Sequence, residues 1–298
     1  MIRIAPEVSA ALAARRAVVA LESTVLAHGL PRPRNLEVGR ALEAEVRAAG
    51  AVPATVGVVA GVPAVGLSGD EVERLACAEG VGKLSTRDLA VPVARGRDGA
   101  TTVAATMWLA HRAGVEVFAT GGIGGVHRGD AHDVSADLTE LGRTPLIVVC
   151  AGAKSVLDLA ATREALETAG VLVAGWRTDA LPAFYARESG LGVDVRVDSA
   201  AEAAALWRAH RALGIPGALL LCVPPPAEAA LPPAEVEDAI RGALERAAAE
   251  GVAGKEVTPY LLRAVAERTG GRSLEANVAL LLANARVGAE VAVALAAP

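Results

Sequence analysis

The chain has 298 residues, 53% of them hydrophobic and only 2% aromatic, and its net charge is −5. Acidic and basic residues are interspersed, so there is neither the basic stripe that binds a nucleic-acid backbone nor the polybasic segment that binds a membrane surface. We therefore expect a small or anionic metabolite as the ligand. The length suits one large α/β domain over residues 1–298.

Cysteine usage and the N-terminus bear on the cellular compartment. Cys77, Cys150 and Cys222 are too few and too widely spaced for a disulfide framework or a zinc cluster, so we expect reduced core residues. The N-terminus lacks the apolar core of a signal peptide, and no run of 18 or more apolar residues follows. The sequence thus predicts a cytoplasmic protein that does not enter a membrane.

Short β-branched runs alternate with Ala/Leu-rich amphipathic stretches along the chain. Buried strands are predicted at 17–21, 54–60, 115–120, 146–152, 171–175 and 218–223. Helices are predicted between them, at 35–49, 69–78, 101–113, 154–169 and 200–212. This alternation predicts a three-layer α/β/α fold around a mainly parallel central sheet.

The pattern changes after the three prolines at 224–226. Only helices are predicted from there, at 233–250, 258–269 and 273–297. No Gly/Ser-rich linker and no fixed-period repeat separates this part from the rest. We therefore expect a helical C-terminal layer that covers the same core.

Unusual residues follow several predicted strands directly. The first strand ends at Glu22, the strand at 115–120 runs into the segment TGGIGGVHRG, and the strand from 146 leads into AGAKS, which contains Lys154. In an open α/β sheet, ligands bind at the carboxyl ends of the strands. These segments are therefore the candidate site.

Lysine is rare in this chain. Lys83, Lys154 and Lys255 are the only lysines among 29 basic residues, and the rest are arginines. A lysine amine can lose its proton and attack a carbonyl, whereas arginine stays charged, so a retained lysine is a candidate nucleophile. Lys154 is the strongest candidate, because it is predicted at the start of a helix, where the dipole favours the neutral amine. An ammonium that only binds phosphate is the alternative.

The segment after the third predicted strand supports two interpretations. Its glycines, with His127 and Arg128 after them, suit a phosphate site, but an ordinary tight turn explains them as well. Asp133, with His132 and Asp137 close by, suits a hard cation such as Mg²⁺ or Mn²⁺, but a solvated loop with a helix cap is an equal alternative. Spacing alone leaves both questions open.

Two other lysines and an amide are weaker candidates. Lys83 could be a second cation in the site or a solvated loop residue, and Lys255 receives no role. Asn277 lies on an otherwise apolar helix, and a buried amide needs a hydrogen-bonding partner, for which a substrate hydroxyl would serve.

At these segments the chain resembles the pseudouridine-5′-phosphate glycosidase family, also called indigoidine synthase A-like proteins. The similar segments run along nearly the whole chain in order. They are VVALESTVLAHGLPRPRN, AVPATVGVVAG, KLSTRDL, GATTVAATM, VFATGGIGGVHRG, DVSADL, VVCAGAKSVLDL, LPAFY, GKEVTPYLL and TGGRSLEAN.

The resemblance implies reversible cleavage of the C–C glycosidic bond of pseudouridine 5′-phosphate to ribose 5-phosphate and uracil. It also implies a divalent metal, usually Mn²⁺, and a homotrimer. Glu22 matches the proton donor, Lys154 the nucleophile that forms a Schiff base with the sugar, and His127 an active-site histidine. Asp133 matches the metal ligand. The substrate-binding positions match Lys83, Val103, Ser135, Ala136, Asp137 and Asn277.

The chain departs from the family pattern at two places. The segment from Asp130 to Asp133 is shorter than expected, and Val223 stands where an asparagine is expected before the prolines. Two other functions fit the same residues. One is an aldolase-like enzyme that forms a Schiff base with sugar phosphates, and the other is a sugar-phosphate-binding protein without catalysis.

Overall fold

A computed structural model of the chain describes residues 2–252, 254 and 257–297, apart from the side chains at 130 and 131. Lys255, the lysine without an assigned role, lies outside these residues. The described strands are β1 (Arg3–Ile4), β2 (Val18–Leu21), β3 (Val52–Val59), β4 (Val62–Val65), β5 (Gly82–Leu84), β6 (Gly99–Thr101), β7 (Val117–Ala119), β8 (Val126–His127), β9 (Asp130–Val134), β10 (Ile147–Cys150), β11 (Leu157–Asp158), β12 (Leu172–Trp176), β13 (Val195–Val197) and β14 (Leu219–Cys222).

Seven strands in a row form the parallel centre of the main sheet, in the order β3-β2-β7-β10-β14-β12-β13. All six predicted strands belong to this row. Every residue of β2, β3, β10 and β14 is buried, as expected for strands that are covered on both faces. The α/β fold class with a mainly parallel sheet is therefore confirmed.

The remaining strands were not predicted. β4 and β6 pair antiparallel with β3, while β1 and β5 extend the edge beside them. A separate antiparallel sheet of three strands has the order β11-β8-β9. Most of these strands have only two to four residues, too few to show a periodic pattern in the sequence.

Helices cover both faces of the sheet. The described helices are α1 (Pro6–Ala13), α2 (Arg34–Ala48), α3 (Gly69–Cys77), α4 (Ala90–Arg95), α5 (Val103–Arg112), α6 (Ala136–Leu141), α7 (Leu159–Thr168), α8 (Ala200–Ala212), α9 (Pro233–Ala249), α10 (Val257–Arg268) and α11 (Arg272–Ala296). One layer contains α2, α8 and α11, and the other contains α5, α6 and α7. The eight predicted helices all occur, with one difference at α7.

The predicted start of α7 at Lys154 is wrong. The helix begins at Leu159, where Asp158 caps it by accepting a hydrogen bond from Ala161 N (2.9 Å). Lys154 lies in the preceding loop, between β10 and β11. The expected effect of a helix dipole therefore does not apply to Lys154, and the loop itself must position its amine.

The C-terminal helix α11 is part of the core. By length and composition it is apolar enough to cross a membrane, but it packs against α2, α8 and the strands β2, β7 and β10. Asn284 on this helix is 1% exposed, and its Nδ2 donates to Thr120 O (2.8 Å) and Gly121 O (3.3 Å). The helix thereby holds the chain where it leaves β7.

We expect Asn284→Leu to lower the free energy of unfolding by about 1–3 kcal/mol, because two buried carbonyl groups lose their donor. Urea denaturation measures the change. Asn277→Leu on the same helix is the matched control and should cost much less, because no described residue hydrogen-bonds to the Asn277 amide. Equal stability losses in the two variants would contradict the role of the Asn284 hydrogen bonds.

Candidate active site

A cavity of about 390 Å³ opens at the carboxyl ends of β2, β7 and β10. All ten residues to which the resemblance gives a role line it, although they come from segments spread over more than 250 positions. They are Glu22, Lys83, Val103, His127, Asp133, Ser135, Ala136, Asp137, Lys154 and Asn277. The structure thus brings these residues together, and their individual roles stay predictions.

Glu22 is half-buried directly after β2, and its carboxylate accepts a hydrogen bond from Thr120 Oγ1 at the end of β7. The next residue, Ser23, is fully buried. Its hydroxyl donates to Val56 O (2.6 Å) and accepts from Thr101 N (2.9 Å). Bonds to neighbouring strands on both sides therefore fix the position of Glu22.

The pKa of Glu22 is raised from its ordinary value. The main cause is burial, which disfavours the charged carboxylate, and the nearby negative charge of Asp137 acts in the same direction. The positive charges of Lys154 and Lys83 and the Thr120 hydrogen bond oppose this shift. The Glu22 carboxyl group therefore keeps its proton to a higher pH than an exposed glutamate does.

Lys154 is half-buried in the loop after β10. Its backbone N–H donates to Ile123 O (3.1 Å), and its carbonyl accepts from Leu157 N (3.0 Å). Ile123 N in turn donates to Gly152 O (3.1 Å). These bonds tie the Lys154 loop to the glycine-rich segment 121–125.

The glycine-rich segment needs glycine for packing. A Cβ on Gly124 would lie 2.2 Å from Ser135 Oγ, and one on Gly122 would lie 2.6 Å from Phe184 Cδ2. The N–H of Gly124 donates to Asp137 Oδ2 (2.8 Å) rather than facing a ligand.

Arg128, which follows this segment, has protein partners as well. It pairs with Glu237 (2.6 Å) and donates to two backbone carbonyls. These contacts favour the tight-turn interpretation of this segment over a phosphate contact of Arg128.

Asp137 is 5% exposed and held by backbone groups on both sides. Its Oδ1 accepts from Ala104 N (2.9 Å) in the first turn of α5, and its Oδ2 accepts from Gly124 N. Ser135 caps α6 by accepting from Asp137 N (3.2 Å). The SAD segment 135–137 therefore joins the start of two helices to the glycine-rich segment at the cavity wall.

His127 and Asp133 lie on a tight hairpin between β8 and β9. Arg128 and Gly129 form its turn, and Gly129 has a positive φ of 87°. The segment from Asp130 to Asp133 lies on β9, directly after this turn. His127 Nδ1 lies 3.9 Å from Asp133 Oδ2, and Asp133 is exposed at the cavity mouth.

The donor set for a metal ion is incomplete among the side chains that the structure describes. Among the residues whose side chains are described, no group of three or more His, Cys, Asp or Glu side chains is arranged to hold a metal. Asp133 and His127 offer two donors, whereas the two oxygens of Asp137 each accept a backbone N–H. The residues fit a hard cation only if waters and substrate oxygens complete its shell, as is common for such ions.

Lys83 lies at the side of the cavity formed by β5 and β6. It is half-buried on β5 and pairs with Ala100 of β6. Val103 is the first residue of α5, so its N–H has no partner within the helix. This side of the cavity combines an ammonium group with a helix N-terminus.

Sequence reasoning missed several residues that line the cavity or support it. Thr120 is the hydrogen-bonding partner of Glu22, and Phe184 belongs to the LPAFY segment that carried the resemblance without a role. The others include Thr24, Ser85, Arg87, Thr102 and Thr258. Val223 is buried and does not line the described cavity, so the missing asparagine leaves the described wall unchanged.

Comparisons with known proteins cover nearly the whole chain. The sequence profile of the family "Indigoidine synthase A like protein" matches residues 7–294. A pseudouridine-5′-phosphate glycosidase from Chloroflexus aurantiacus is 61% identical, over 98% of both chains. A protein of the same name from Paracoccus denitrificans is 54% identical, over 99% of both chains.

Two solved structures share the fold over nearly the full chain. Prealnumycin C-glycosynthase AlnA, in complex with ribulose 5-phosphate, has a TM-score of 0.91 and 44% identity, covering 99% of this chain and 97% of that chain. An indigoidine synthase A-like protein from Thermotoga maritima has a TM-score of 0.91 and 38% identity, covering 100% of this chain and 97% of that chain.

The raised pKa of Glu22 predicts a stability change with pH. Because the folded state holds this proton more tightly than the unfolded state, wild-type stability falls as pH rises from about 4 through the raised pKa. We expect Glu22→Gln to be more stable than wild type at pH 8 and equal to it below about pH 4. Thermal unfolding across this pH range measures the difference.

Glu43→Gln is the matched control for this prediction. The pKa of Glu43 is also raised by burial, and its carboxylate accepts from Thr55 Oγ1 (2.5 Å), but Glu43 is not among the described cavity residues. It should show the same stability gain and keep its activity. A Glu22→Gln variant that is less stable than wild type at pH 8 would contradict the assigned direction.

Proposed function

Because the chain belongs to the indigoidine synthase A-like family, we propose that it is a pseudouridine-5′-phosphate glycosidase. It reversibly cleaves the C–C glycosidic bond of pseudouridine 5′-phosphate to give ribose 5-phosphate and uracil. The observation that carries this proposal is the presence of the half-buried Glu22 carboxyl group and the Lys154 amine, within electrostatic reach of each other, in one cavity at the carboxyl ends of the strands.

A lysine nucleophile suits this reaction because the leaving atom is carbon. Ordinary glycosidases protonate a heteroatom leaving group with one of two carboxyl groups, and C5 of uracil offers no such lone pair. In the proposed reaction the Lys154 amine forms a bond to C1 of the sugar as the ring C–O bond breaks. The ring oxygen takes a proton, and the adduct keeps the C1–C5 bond.

Glu22 moves the protons of the next step. A proton is added to C5 of uracil, the nitrogen lone pair of Lys154 forms the C=N bond, and the C1–C5 electron pair returns to the uracil ring. Water then hydrolyses the ribose imine and frees Lys154. The raised pKa of Glu22 supports this role, because a group that gives and takes protons works best when its pKa lies near the working pH.

The end of the cavity near Lys83 suits the phosphate of the substrate. Lys83 and Arg87 supply positive charge, and the first-turn N–H of α5 at Val103 supplies a helix N-terminus. Ser85 and Thr102 add hydroxyl groups to the same wall. Lys83 lies on β5 at one side of the sheet, and the strands that precede Glu22 and Lys154, β2 and β10, lie further across the sheet. A phosphate bound near Lys83 would therefore leave C1 of the sugar on the side of Glu22 and Lys154.

Asp133, with His127 beside it, would hold a divalent cation such as Mn²⁺, with waters and substrate oxygens as further ligands. A bound cation would supply positive charge to anionic oxygens at the cavity mouth.

The homotrimer of the family and a cytoplasmic location complete the proposal. The fully buried Cys150 and Cys222 fit a cytoplasmic location, because two free thiols at paired positions on neighbouring strands suit a reducing compartment.

Uracil release tests the function. The wild-type protein should release uracil from pseudouridine 5′-phosphate and none from uridine 5′-phosphate, in the presence of Mn²⁺. Cleavage within the sugar instead would favour an aldolase-like enzyme. Binding of ribose 5-phosphate without turnover in either direction would favour a binding protein, and both results would overturn the proposal.

Lys154→Arg should lower uracil release by about 10³-fold or more, because guanidinium keeps the charge but cannot form an imine. Borohydride reduction of the wild type with ribose 5-phosphate should give an adduct that mass spectrometry locates at Lys154. Lys83→Arg is the matched control and should still give this adduct. An adduct that persists in Lys154→Arg, or that maps to Lys83, would contradict the assignment.

Asp133→Asn should weaken Mn²⁺ binding by at least about tenfold, because the variant loses the charged oxygen donor. Paramagnetic resonance of free Mn²⁺ during titration measures this without any assay of activity. Asp70→Asn, at an exposed position on α3 outside the cavity, is the control and should bind Mn²⁺ as wild type does. Unchanged Mn²⁺ affinity in Asp133→Asn would remove Asp133 as a ligand.

A further inference from the structure

The LPAFY segment forms a strained turn next to the candidate nucleophile. Phe184 has a φ of 61°, in the left-handed region that residues with a Cβ rarely adopt. Ala183 N donates to Ala186 O (3.0 Å) across the turn. Such a conformation persists only where its surroundings hold it, and it is concentrated at functional sites.

Two hydrogen bonds join this turn to the Lys154 loop, one on each side of the lysine. Phe184 N donates to Ala151 O (3.0 Å), and Ser155 Oγ donates to Ala183 O (2.8 Å). The loop also approaches the turn closely at Gly152, where a Cβ would lie 2.3 Å from Pro182 O. The backbone of the turn therefore borders the loop from Ala151 to Ser155.

The ring of Phe184 reaches the opposite side of the same loop. It packs on Gly122, where a Cβ would lie 2.6 Å from Phe184 Cδ2 and 2.9 Å from Gly152 O. The neighbouring Ile123 exchanges hydrogen bonds with Gly152 and Lys154. The turn and the glycine-rich segment thus hold the Lys154 loop between them, and the Phe184 ring joins the two.

Phe184 borders the cavity but is only 2% exposed. Almost all of its ring surface contacts protein, including Tyr185 edge-on at 4.8 Å between ring centres. So little exposed surface leaves no free ring face on which a ligand could stack. The ring therefore acts on the neighbouring segments rather than on the substrate.

We propose that Phe184 is a positioning residue for Lys154, and this inference rests on the proposed function. Its left-handed backbone directs the N–H to Ala151 O, while its ring rests on Gly122. Together these contacts fix the loop on which the Lys154 amine must approach C1. A displacement of about 1 Å from the attack geometry can cost on the order of 10²-fold in rate.

The test compares the rate of imine formation with the affinity for ribose 5-phosphate. Phe184→Gly removes the ring and frees the turn to leave the left-handed region, whereas Phe184→Leu keeps a side chain that can pack on Gly122. We expect borohydride-trapped adduct to form about 10- to 100-fold more slowly in Phe184→Gly, with Phe184→Leu between it and wild type. The dissociation constant for ribose 5-phosphate should change by less than about twofold, because the phosphate lies at the Lys83 end.

Two further variants separate positioning from stability. Ser155→Ala removes the hydrogen bond on the other side of Lys154 and should also slow imine formation without a change in affinity. Phe118→Leu is the matched control, because Phe118 is the other phenylalanine of the chain and is fully buried in β7 outside the described cavity wall. It should lower the melting temperature and leave the rate per folded protein unchanged.

The outcomes distinguish this inference from the proposed function. If the wild type forms no adduct at Lys154, the proposed mechanism fails and the inference fails with it. If the wild type forms the adduct and Phe184→Gly forms it at the same rate per folded protein, only the inference is overturned. A slower rate that Phe118→Leu shares equally, in proportion to its loss of stability, would also overturn it.

Discussion

The site depends on one carboxyl group that the fold buries beside a lysine amine. In water the Glu22 carboxylate would be solvated and ionised near its ordinary pKa, but at the end of β2 it loses that solvation and its pKa rises. Lys154 and Lys83 only partly offset this cost, although both charges act on the carboxyl group. The raised pKa lowers folding stability at higher pH, where the carboxyl group must ionise at a position that disfavours its charge.

The other parts of the site serve to hold this pair in place. Ser23 and Thr120 fix Glu22 from the neighbouring strands, and Asn284 on α11 holds the carbonyl groups at the end of β7. The Lys154 loop follows β10, the strand that pairs with β7, and its backbone hydrogen-bonds to Ile123. Because adjacent parallel strands end at the same edge, small displacements of any one segment would change the distance between carboxyl and amine.

Glycine determines how closely the segments approach one another. Gly122, Gly124 and Gly152 each lie where a Cβ would come within 2.2–2.6 Å of another segment. The glycine-rich stretch therefore resembles a phosphate loop in composition but serves mainly to pack the Ser135, Phe184 and Lys154 segments together. The phosphate end of the site lies elsewhere in our proposal, near Lys83 and the start of α5.

The sequence by itself determined the parallel core, the eight main helices and ten of the residues that line the cavity. These were readable because burial on both strand faces and helical periodicity are local patterns, and because the family motifs are local as well. The tertiary structure alone decided the edge strands, the start of α7 and the partners of Glu22 and Asp137. Each of these depends on a contact between residues far apart in the chain, such as Thr120 with Glu22 or Ala104 with Asp137. Residue type and spacing do not encode such contacts, so only the folded chain shows that Asp137 is bound by backbone N–H groups and that a loop, not a helix, positions Lys154.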